Sequence, residues 1–426
     1  MKQNAPHTSF LSRLFALLVV GQLSANAEDI TLTADAWNQW RGSDRDSSIT
    51  APAWPDQLGD PWLTKQWQVE LNEGYSSPIL TADHVFSLET HDKKEEIFRA
   101  FDRFSGKELW SYTVPGAMKV PFFAARNGSW ARSTPVTDGT RVYFLTMLDV
   151  MTCLDVNTGA LIWQVDLKER EGTEVPTFGG VSSPLIEGDY LYLQGGHAAA
   201  KLDKTSAENN WRVLEDRRGM FGGSFSSPII AELHGLRQFI VQTRSTLAGV
   251  DLESGEILWA TPVEASRGMN ILTPLVHNNH IFTATYGGGS FCYKLGYQNG
   301  EFDVSMVWEN RKLEGYMTTP VTVDGYIYHQ GRDKKLYCLD FKTGKIQWSS
   351  DEEFGQYWSM VVNDDRILAL DQRGSLILFQ ASKDRFTILD QRKVSDEPTW
   401  AHLAVSGDQL FVRGLKHMTA FSWKGQ

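Results

Sequence analysis

Residues 339–348 read Leu339-Asp340-Phe341-Lys342-Thr343-Gly344-Lys345-Ile346-Gln347-Trp348. This phrase contains the end of an apolar strand, an aspartate, a turn with glycine, and a second strand that ends in tryptophan. The aspartate can accept N–H bonds from the turn that it opens, and glycine can adopt the positive φ that closes the turn. The phrase therefore predicts a β-hairpin whose flat tryptophan fills the wedge between neighbouring sheets.

The same phrase recurs along the chain, with close copies that end at Trp110, Trp163 and Trp259 and a looser copy that ends at Trp211. A second phrase, Ser-Ser-Pro or a close variant, precedes a turn and an apolar strand in each repeat. Its prolines are Pro78, Pro135, Pro184, Pro228, Pro274 and Pro320, and two degenerate copies carry Met360 and Leu403 in the proline position. Eight units of about 45 residues with four short strands each have the size of propeller blades.

The two ends of the repeat region look complementary. An unpaired strand around Trp67 precedes the first Ser-Ser-Pro, and the last copy stops near Phe421 before any turn-and-tryptophan strand. A linear solenoid, the rival arrangement, would carry distinct polar caps instead. We therefore predict an all-β, eight-bladed β-propeller of four-stranded antiparallel blades, closed by an N-terminal strand that completes the C-terminal blade, which leaves no exposed sheet edge at the joint.

The N-terminal 27 residues resemble a secretory signal. Lys2 and Arg13 precede the apolar run 14–20, and Ala25-Asn26-Ala27 offers a cleavage site. A retained anchor is the alternative, and no later segment has the apolar length of a membrane helix. We predict a signal peptide at 1–27, an arm that packs on the propeller at 28–62, the propeller at 63–426, and export to the periplasm or the extracellular space.

Composition narrows the classes of partner. The net charge of −11 excludes a generic phosphate-binding surface, so no nucleic-acid partner is expected. Cys153, Cys292 and Cys338 are odd in number and occupy equivalent strand positions, which indicates small buried hydrophobes and not a redox site.

The repeated phrases resemble those of the pyrroloquinoline-quinone (PQQ)-like propeller family over about residues 63–423. That family includes quinoprotein dehydrogenases and non-catalytic scaffolds, among them the propeller lipoprotein of the outer-membrane barrel-assembly machinery. Residues 37–46, with Trp40-Arg41-Gly42, also resemble the opening of exported members, and an arm that packs its tryptophans on the propeller is the preferred interpretation.

The resemblance raises the question of an enzyme. Quinoprotein alcohol dehydrogenases place adjacent cysteines over the quinone and hold a calcium ion beside a catalytic aspartate, and this sequence has no adjacent cysteines. His277 and His280, the only close histidine pair, flank a predicted turn. We predict no catalytic residues, no metal and no cofactor; PQQ and Ca²⁺ belong only to the dehydrogenase alternative.

The loops that enter the innermost strands should surround one opening of the central channel. The residues before the proline position form a near-uniform set of small hydroxyls, predicted to hydrogen-bond adjacent backbone. Residues three positions before the proline, and their neighbours, vary from blade to blade. These mouth residues, the candidate binding site, are Tyr75, Trp130, Arg132, Phe225, Tyr316, Tyr357, Trp358, Trp400 and His402.

Two interpretations of the mouth residues stay open. They can stack a flat ligand or hold a peptide, or the aromatic rings can pack between loops and His402 can be simply hydrogen-bonded. The preferred hypothesis is a monomeric, exported scaffold that binds a protein or peptide partner in the cell envelope. The alternatives are a PQQ-dependent alcohol or sugar dehydrogenase and a carbohydrate-binding propeller.

Overall fold

The computed structural model describes residue 1 and residues 36–122, 124–125, 128–216 and 222–424. The predicted signal peptide, apart from Met1, and the start of the predicted arm lie outside these residues. Two strands precede the first blade, β1 (Ser48–Ile49) and β2 (Leu63–Glu70).

The described chain then forms eight successive sheets, numbered blades 1 to 8. The strands of blades 1 and 2 are β3 (Ile79–Leu80), β4 (His84–His91), β5 (Glu95–Asp102), β6 (Glu108–Pro115), β7 (Val136–Thr137), β8 (Arg141–Leu145), β9 (Val150–Asp155) and β10 (Leu161–Asp166). After the helix α1 (Leu167–Glu171), blades 3 and 4 contain β11 (Leu185–Glu187), β12 (Tyr190–Gly195), β13 (Ala198–Asp203), β14 (Asn209–Val213), β15 (Ile229–Leu233), β16 (Leu236–Gln242), β17 (Thr246–Asp251) and β18 (Ile257–Pro262).

A short 3-10 helix (Ser266–Gly268) leads into the second half of the propeller. The strands of blades 5 and 6 are β19 (Leu275–His277), β20 (His280–Thr285), β21 (Gly289–Gln298), β22 (Glu301–Asn310), β23 (Val321–Val323), β24 (Tyr326–Gln330), β25 (Leu336–Asp340) and β26 (Ile346–Ser349). Blades 7 and 8 contain β27 (Trp358–Asn363), β28 (Arg366–Asp371), β29 (Ser375–Gln380), β30 (Ile388–Lys393), β31 (Ala404–Ser406), β32 (Gln409–Arg413) and β33 (His417–Trp423).

Each blade has four antiparallel strands, and the strand that follows the Ser-Ser-Pro position is the innermost of the four. Middle strands such as β4 are buried on both faces, whereas the outer strand β6 exposes alternate residues. This difference explains why the middle strands have nearly continuous apolar sequences and the outer strands alternate. The predicted all-β, eight-bladed propeller is confirmed.

The ring is closed as predicted. The strand β2 pairs antiparallel with β33, so that Lys65 lies opposite Phe421 and Trp67 opposite Ala420. Blade 8 therefore has the order β2-β33-β32-β31, with its outermost strand supplied from the N-terminal side of the propeller. The closure joins the first and last parts of the repeat region in one sheet and covers the edge of β33.

The tryptophans of the outer strands connect neighbouring blades. Six of them donate an Nε1–H bond of 2.8–3.3 Å to a backbone carbonyl in the next blade; the pairs are Trp67–Arg103, Trp110–Val156, Trp163–Lys204, Trp211–Leu252, Trp308–Phe341 and Trp348–Ser382. Each ring thus bridges two sheets through packing and one hydrogen bond, which confirms the predicted wedge.

The turn glycine is required by this contact as well as by its backbone angle. Gly159 has φ 68°, and a Cβ built there would lie 2.5 Å from the Trp110 ring. The turn itself is held by Asp155, whose Oδ1 accepts bonds of 2.8 Å from the Thr158 N–H and 2.7 Å from its hydroxyl. The aspartate, the glycine and the preceding blade's tryptophan therefore act as one unit.

Trp259 is the exception among these tryptophans. It donates to Gln238 Oε1 at 2.7 Å within its own blade, because the long β21–β22 hairpin of blade 5 turns at Asn299 and Gly300 without the Asp-to-Gly loop.

The three cysteines are unpaired and buried, as predicted, and burial raises the pKa of each thiol to about 12.

Candidate functional site

The small hydroxyls before the proline position form a ring around the axis, the hydroxyl ring. The Ser77 N–H donates to Thr134 Oγ1 at 3.2 Å, the Thr134 N–H to Ser183 Oγ at 2.9 Å, and the Ser183 N–H to Ser227 Oγ at 2.9 Å. The His402 N–H donates to Ser77 Oγ at 2.8 Å across the joint between blades 8 and 1. The predicted bonding of these hydroxyls to adjacent backbone is confirmed, and the hydroxyl ring ties consecutive blades together at one level of the channel.

The channel inside this ring is filled by residues 36–49 of the chain, here named the plug. Trp40 Nε1 donates to Thr273 Oγ1 in blade 5 at 3.1 Å, Arg41 Nη2 to the Pro320 carbonyl in blade 6 at 2.8 Å, and Arg45 Nη1 to the Pro184 carbonyl in blade 3 at 2.8 Å. The plug ends in β1, which adds to blade 7 as a parallel fifth strand beside β27. The plug therefore occupies the axis at the level of the hydroxyl ring.

Two guanidinium groups of the plug are buried without a carboxylate partner in the described chain. Burial lowers the pKa of Arg41 to about 10 and that of Arg45 to about 9, and both remain cationic at neutral pH. Arg45 also donates to the Ser183 carbonyl at 3.0 Å, and Arg41 to the Arg45 and Asp46 carbonyls at 3.1 and 3.0 Å. Backbone carbonyls of the channel and the plug thus replace the water that these charges lose on burial.

His402 is held in one tautomer beneath the plug. Its Nδ1 lies 2.8 Å from the Leu403 carbonyl and must carry the proton, so Nε2 accepts from the Ser47 hydroxyl at 3.1 Å. Ser47 Oγ in turn accepts from Arg41 Nε at 2.8 Å. Burial, with the nearby Arg41 charge, lowers the pKa of His402 to about 3, so the ring is neutral and both of its nitrogens are used structurally.

Replacing His402 by glutamine tests this assignment through pH. Because the pKa of His402 is about 3 in the folded chain and 6.5 for an ordinary histidine, the unfolded state binds the proton first as pH falls. The stability contributed by neutral His402 is complete above pH 6.5 and is lost between pH 6.5 and 3, by up to about 1.4 kcal/mol per pH unit. We expect the free energy of unfolding of H402Q, from urea titrations between pH 7 and 4.5, to decline less steeply than that of the parent; parallel slopes would contradict the assignment.

Three of the mouth residues form a continuous aromatic stack above the hydroxyl ring. The ring centroids of Tyr357 and Trp400 are 5.8 Å apart with an interplanar angle of 14°, and those of Trp400 and Tyr75 are also 5.8 Å apart. Burial raises the pKa of Tyr75, and the neighbouring Arg132 and Trp130 side chains partly oppose this effect. The Tyr75 N–H donates to the Ala131 carbonyl at 2.8 Å. Blades 7, 8, 1 and 2 therefore contribute to one aromatic cluster, buried at Tyr357 and partly exposed at its other members, here named the stack (Tyr357, Trp400, Tyr75 and Trp130).

The remaining mouth residues lie elsewhere. Tyr316 packs against Tyr286 at 5.4 Å, and Phe225 lies under the Arg244 guanidinium at 4.5 Å, each in its own sector of the mouth. Trp358 is fully buried and packs on Phe354 in the core of the propeller.

His402 also lies apart from the stack. It is buried beneath the plug, with its ring edge-on to Trp40 at 5.2 Å. The structure thus brings together Tyr75, Trp130, Trp400, Tyr357 and Arg132.

Sequence reasoning missed the residues that close the channel. Arg41, Arg45 and Ser47 are not among the predicted mouth residues, although they lie in the predicted arm that contains Trp40-Arg41-Gly42. The available sequence signal was the glycine that follows Trp40 and Arg41. In the structure Gly42 has φ 83°, and a Cβ there would lie 3.1 Å from the Trp37 ring. A glycine in this conformation, following two tryptophans and an arginine, is typical of a tightly folded loop and not of an extended arm.

A cavity of about 310 Å³ lies on the side of the plug away from the mouth residues. The plug contributes Arg41, Asp44, Arg45 and Asp46 to its wall, and the inner strands of blades 4, 5 and 6, with the turn at Asp324 and Gly325, supply the rest. The mouth and this cavity are therefore separated by the plug at the level of the hydroxyl ring.

The residues present do not fit the quinone and calcium of the dehydrogenases. Among the described residues no three His, Cys, Asp or Glu side chains are grouped to hold a metal ion. The cysteines are buried singly in separate blades, and Trp37, Trp40 and Arg41 fill the axial space inside the hydroxyl ring.

The fold and site together define a PQQ-like repeat propeller whose channel is closed from within. The family model described as outer membrane protein assembly factor BamB (PQQ_2) matches residues 93–350, and the chain belongs to this family. Similar curated relatives are BamB of Moranella endobia (strain PCIT), 23% identical over 312 residues (68% of this chain and 74% of the relative), and BamB of Yersinia pestis, 24% identical over 307 residues (66% and 69%).

Solved structures with the same fold include both kinds of family member. BamB from Moraxella catarrhalis superposes with a TM-score of 0.61 at 15% identity, covering 85% of this chain and 98% of the other. Quinohemoprotein alcohol dehydrogenase ADHIIG from Pseudomonas putida HK5 gives a TM-score of 0.61 at 12% identity, covering 92% and 81%. At these identities the likeness shows the shared propeller fold alone. In the described part of the chain, no helix has the length and apolarity needed to span a membrane.

Proposed function

We propose that this chain is an exported, non-catalytic scaffold that binds a protein or peptide partner in the cell envelope through its mouth residues. The observation that carries the proposal is the plug, which closes the channel at the hydroxyl ring with bonds to blades 3, 5 and 6. The mouth is then a shallow cup with a closed floor. Such a cup suits a surface ligand such as a polypeptide better than a cofactor enclosed on the axis.

The stack supports a polypeptide partner. Trp400 and Tyr75 remain partly exposed while packing against each other, so a partner's side chains would meet rigid rings whose positions are already held. Aromatic side chains and arginine supply most of the binding energy in protein interfaces, and they lose little conformational entropy when already packed. The relatives named outer membrane protein assembly factor also favour a protein partner in the cell envelope. Export through a signal peptide at 1–27 is part of this proposal.

Site-specific photo-crosslinking tests the proposal. A benzoylphenylalanine placed at position 400 is expected to crosslink a defined envelope protein, identified by mass spectrometry of the adduct. The matched control places the same group at Phe104, which is 61% exposed at the turn between β5 and β6, away from the mouth residues. Equal crosslinking of that protein from position 104 would overturn the proposal that the mouth is the contact surface.

A thermal-shift experiment separates this proposal from the dehydrogenase alternative. Because the plug fills the axis and carries two buried arginines there, we expect PQQ with Ca²⁺ to leave the melting temperature unchanged. A ligand that bound the folded chain specifically would raise it by mass action. A concentration-dependent rise, accompanied by alcohol-dependent dye reduction, would contradict the scaffold and favour the enzyme.

A further inference from the structure

Arg132 is a charged group at the mouth without a counter-ion in the described structure. Its Nη2 donates to the Gly128 carbonyl at 2.8 Å, the one side-chain bond that it makes to the described residues. Burial lowers the pKa of Arg132, and among the described residues Tyr75 opposes this effect. The guanidinium therefore keeps free N–H donors beside the stack, at a position that is mostly withdrawn from water.

A second cation lies close to Trp130. The Lys93 ammonium, at the tip of the β4–β5 hairpin, is 6.0 Å from the Trp130 ring centroid and forms no ion pair within the described chain. Glu73, the acidic group whose pKa Lys93 helps to lower, is itself paired with Lys416 at 3.1 Å. One cation thus lies over the half-buried Trp130 ring, and a second, Arg132, follows it two residues later in the same loop.

Two other arginines, in blades 3 and 6, are paired with carboxylates. Arg332 pairs with Glu314 at 2.7 Å, and Arg212 with Glu171 at 2.8 Å. The chain as a whole carries a net charge of −11, whereas Arg132 and Lys93, both close to Trp130, form no ion pair within the described chain. An anion on the partner would supply the missing counter-charge.

On these grounds we propose that the mouth between blades 1 and 2 binds a peptide carboxylate adjacent to an aromatic side chain. Arg132 receives the carboxylate through its free N–H donors, Lys93 adds the second positive charge, and the peptide's aromatic ring packs on Tyr75 and Trp400. A guanidinium can hold both oxygens of one carboxylate, and a withdrawn position strengthens the pair. This inference rests on the proposed function and names the chemistry of its partner.

Fluorescence anisotropy with short labelled peptides tests it. The probes are Gly-Ser-Glu-Tyr-Gly-Ser amide and its Glu-to-Gln counterpart, together with Gly-Ser-Gly-Ser-Gly-Tyr as free acid and as amide. The first pair reports a side-chain carboxylate and the second pair a terminal one. In at least one pair we expect the carboxylate form to bind about tenfold tighter or more, with the preference weakening at high salt.

Arg132→Gln is expected to remove the preference for the carboxylate form and to leave weak binding of the neutral peptide. Arg311→Gln is the control, because Arg311 is exposed and already paired with Glu264 and Glu309. If R132Q is poorly folded by circular dichroism, Lys93→Gln at the exposed hairpin tip should still reduce the preference. Equal binding within both pairs by the parent chain, or a preference that survives in R132Q and in K93Q, would overturn the inference.

These outcomes are separable from the proposed function. Crosslinking from position 400 without any carboxylate preference would leave the scaffold standing and reject the carboxylate site. Loss of both crosslinking and peptide binding would reject the two together.

Discussion

A chain that starts at residue 72, and so lacks β2, is expected to lose roughly 5 kcal/mol or more of unfolding free energy relative to one that starts at residue 62. The β2 strand places Leu63 and Trp67 in the core of blade 8 and pairs with β33 along its length. Truncating one buried leucine or tryptophan already costs about 2–5 kcal/mol, and here both side chains and the strand pairing are lost. Urea titration followed by tryptophan fluorescence measures the difference.

The longer of these two chains is the matched control, because both lack the plug and only one lacks β2. We also expect the shorter chain to self-associate in size-exclusion chromatography, since the uncovered edge of β33 offers unpaired backbone groups to a second molecule. Equal urea midpoints for the two chains, with both monomeric, would show that β2 does not close the ring.

The second large effect is expected at the contact between blades 1 and 2. Trp110→Ala should cost about 3–5 kcal/mol, because the ring packs in the blade interface and donates to the Val156 carbonyl at 2.9 Å. Gly159→Ala should also be strongly destabilising, since the new methyl group would lie 2.5 Å from that ring. Denaturant unfolding of the two single variants and the double variant measures the coupling free energy between positions 110 and 159.

Gly188→Ala is the control that isolates backbone strain. Gly188 has φ 59°, close to the 68° of Gly159, but a Cβ there would meet nothing within 4 Å. G188A should therefore report the cost of the left-handed backbone alone, about 1 kcal/mol. In the double variant W110A/G159A the clash disappears, so its cost should be below the sum of the two single costs by about 0.5–3 kcal/mol. Strict additivity would contradict a direct contact.

The fold could be predicted because its determinants are local and repeated. An aspartate such as Asp155 organises its own turn within four residues, and the spacing from one tryptophan to the next gives the size of a blade. Even the closure, which joins residues more than 350 positions apart, was visible as two incomplete repeats around Trp67 and Phe421. Repetition made these long-range pairings readable, since every blade reports on its neighbours.

The mouth was only partly predictable. Tyr75, Arg132, Tyr357 and Trp400 were placed by their equivalent positions in the repeat, and the structure brings them together with Trp130. Trp358, directly after Tyr357, turns into the core, since successive side chains at the start of a strand point to opposite faces. The position of a residue in the repeat therefore predicts its level along the channel. Whether its side chain points to the mouth or to the core depends on the residue at which the strand begins.

The sequence by itself determined the blade architecture, the number of blades and the closing strand, because turn chemistry and strand period act over a few residues and recur eight times. Only the tertiary structure decided what fills the axis. The plug bonds through Trp40, Arg41 and Arg45 to hydroxyls and carbonyls on blades 3, 5 and 6, which come together only when the ring has closed. A surface assembled from eight distant segments has no local signature, so neither the plug's path nor the neutral state of His402 beneath it could be derived from the residues along the chain.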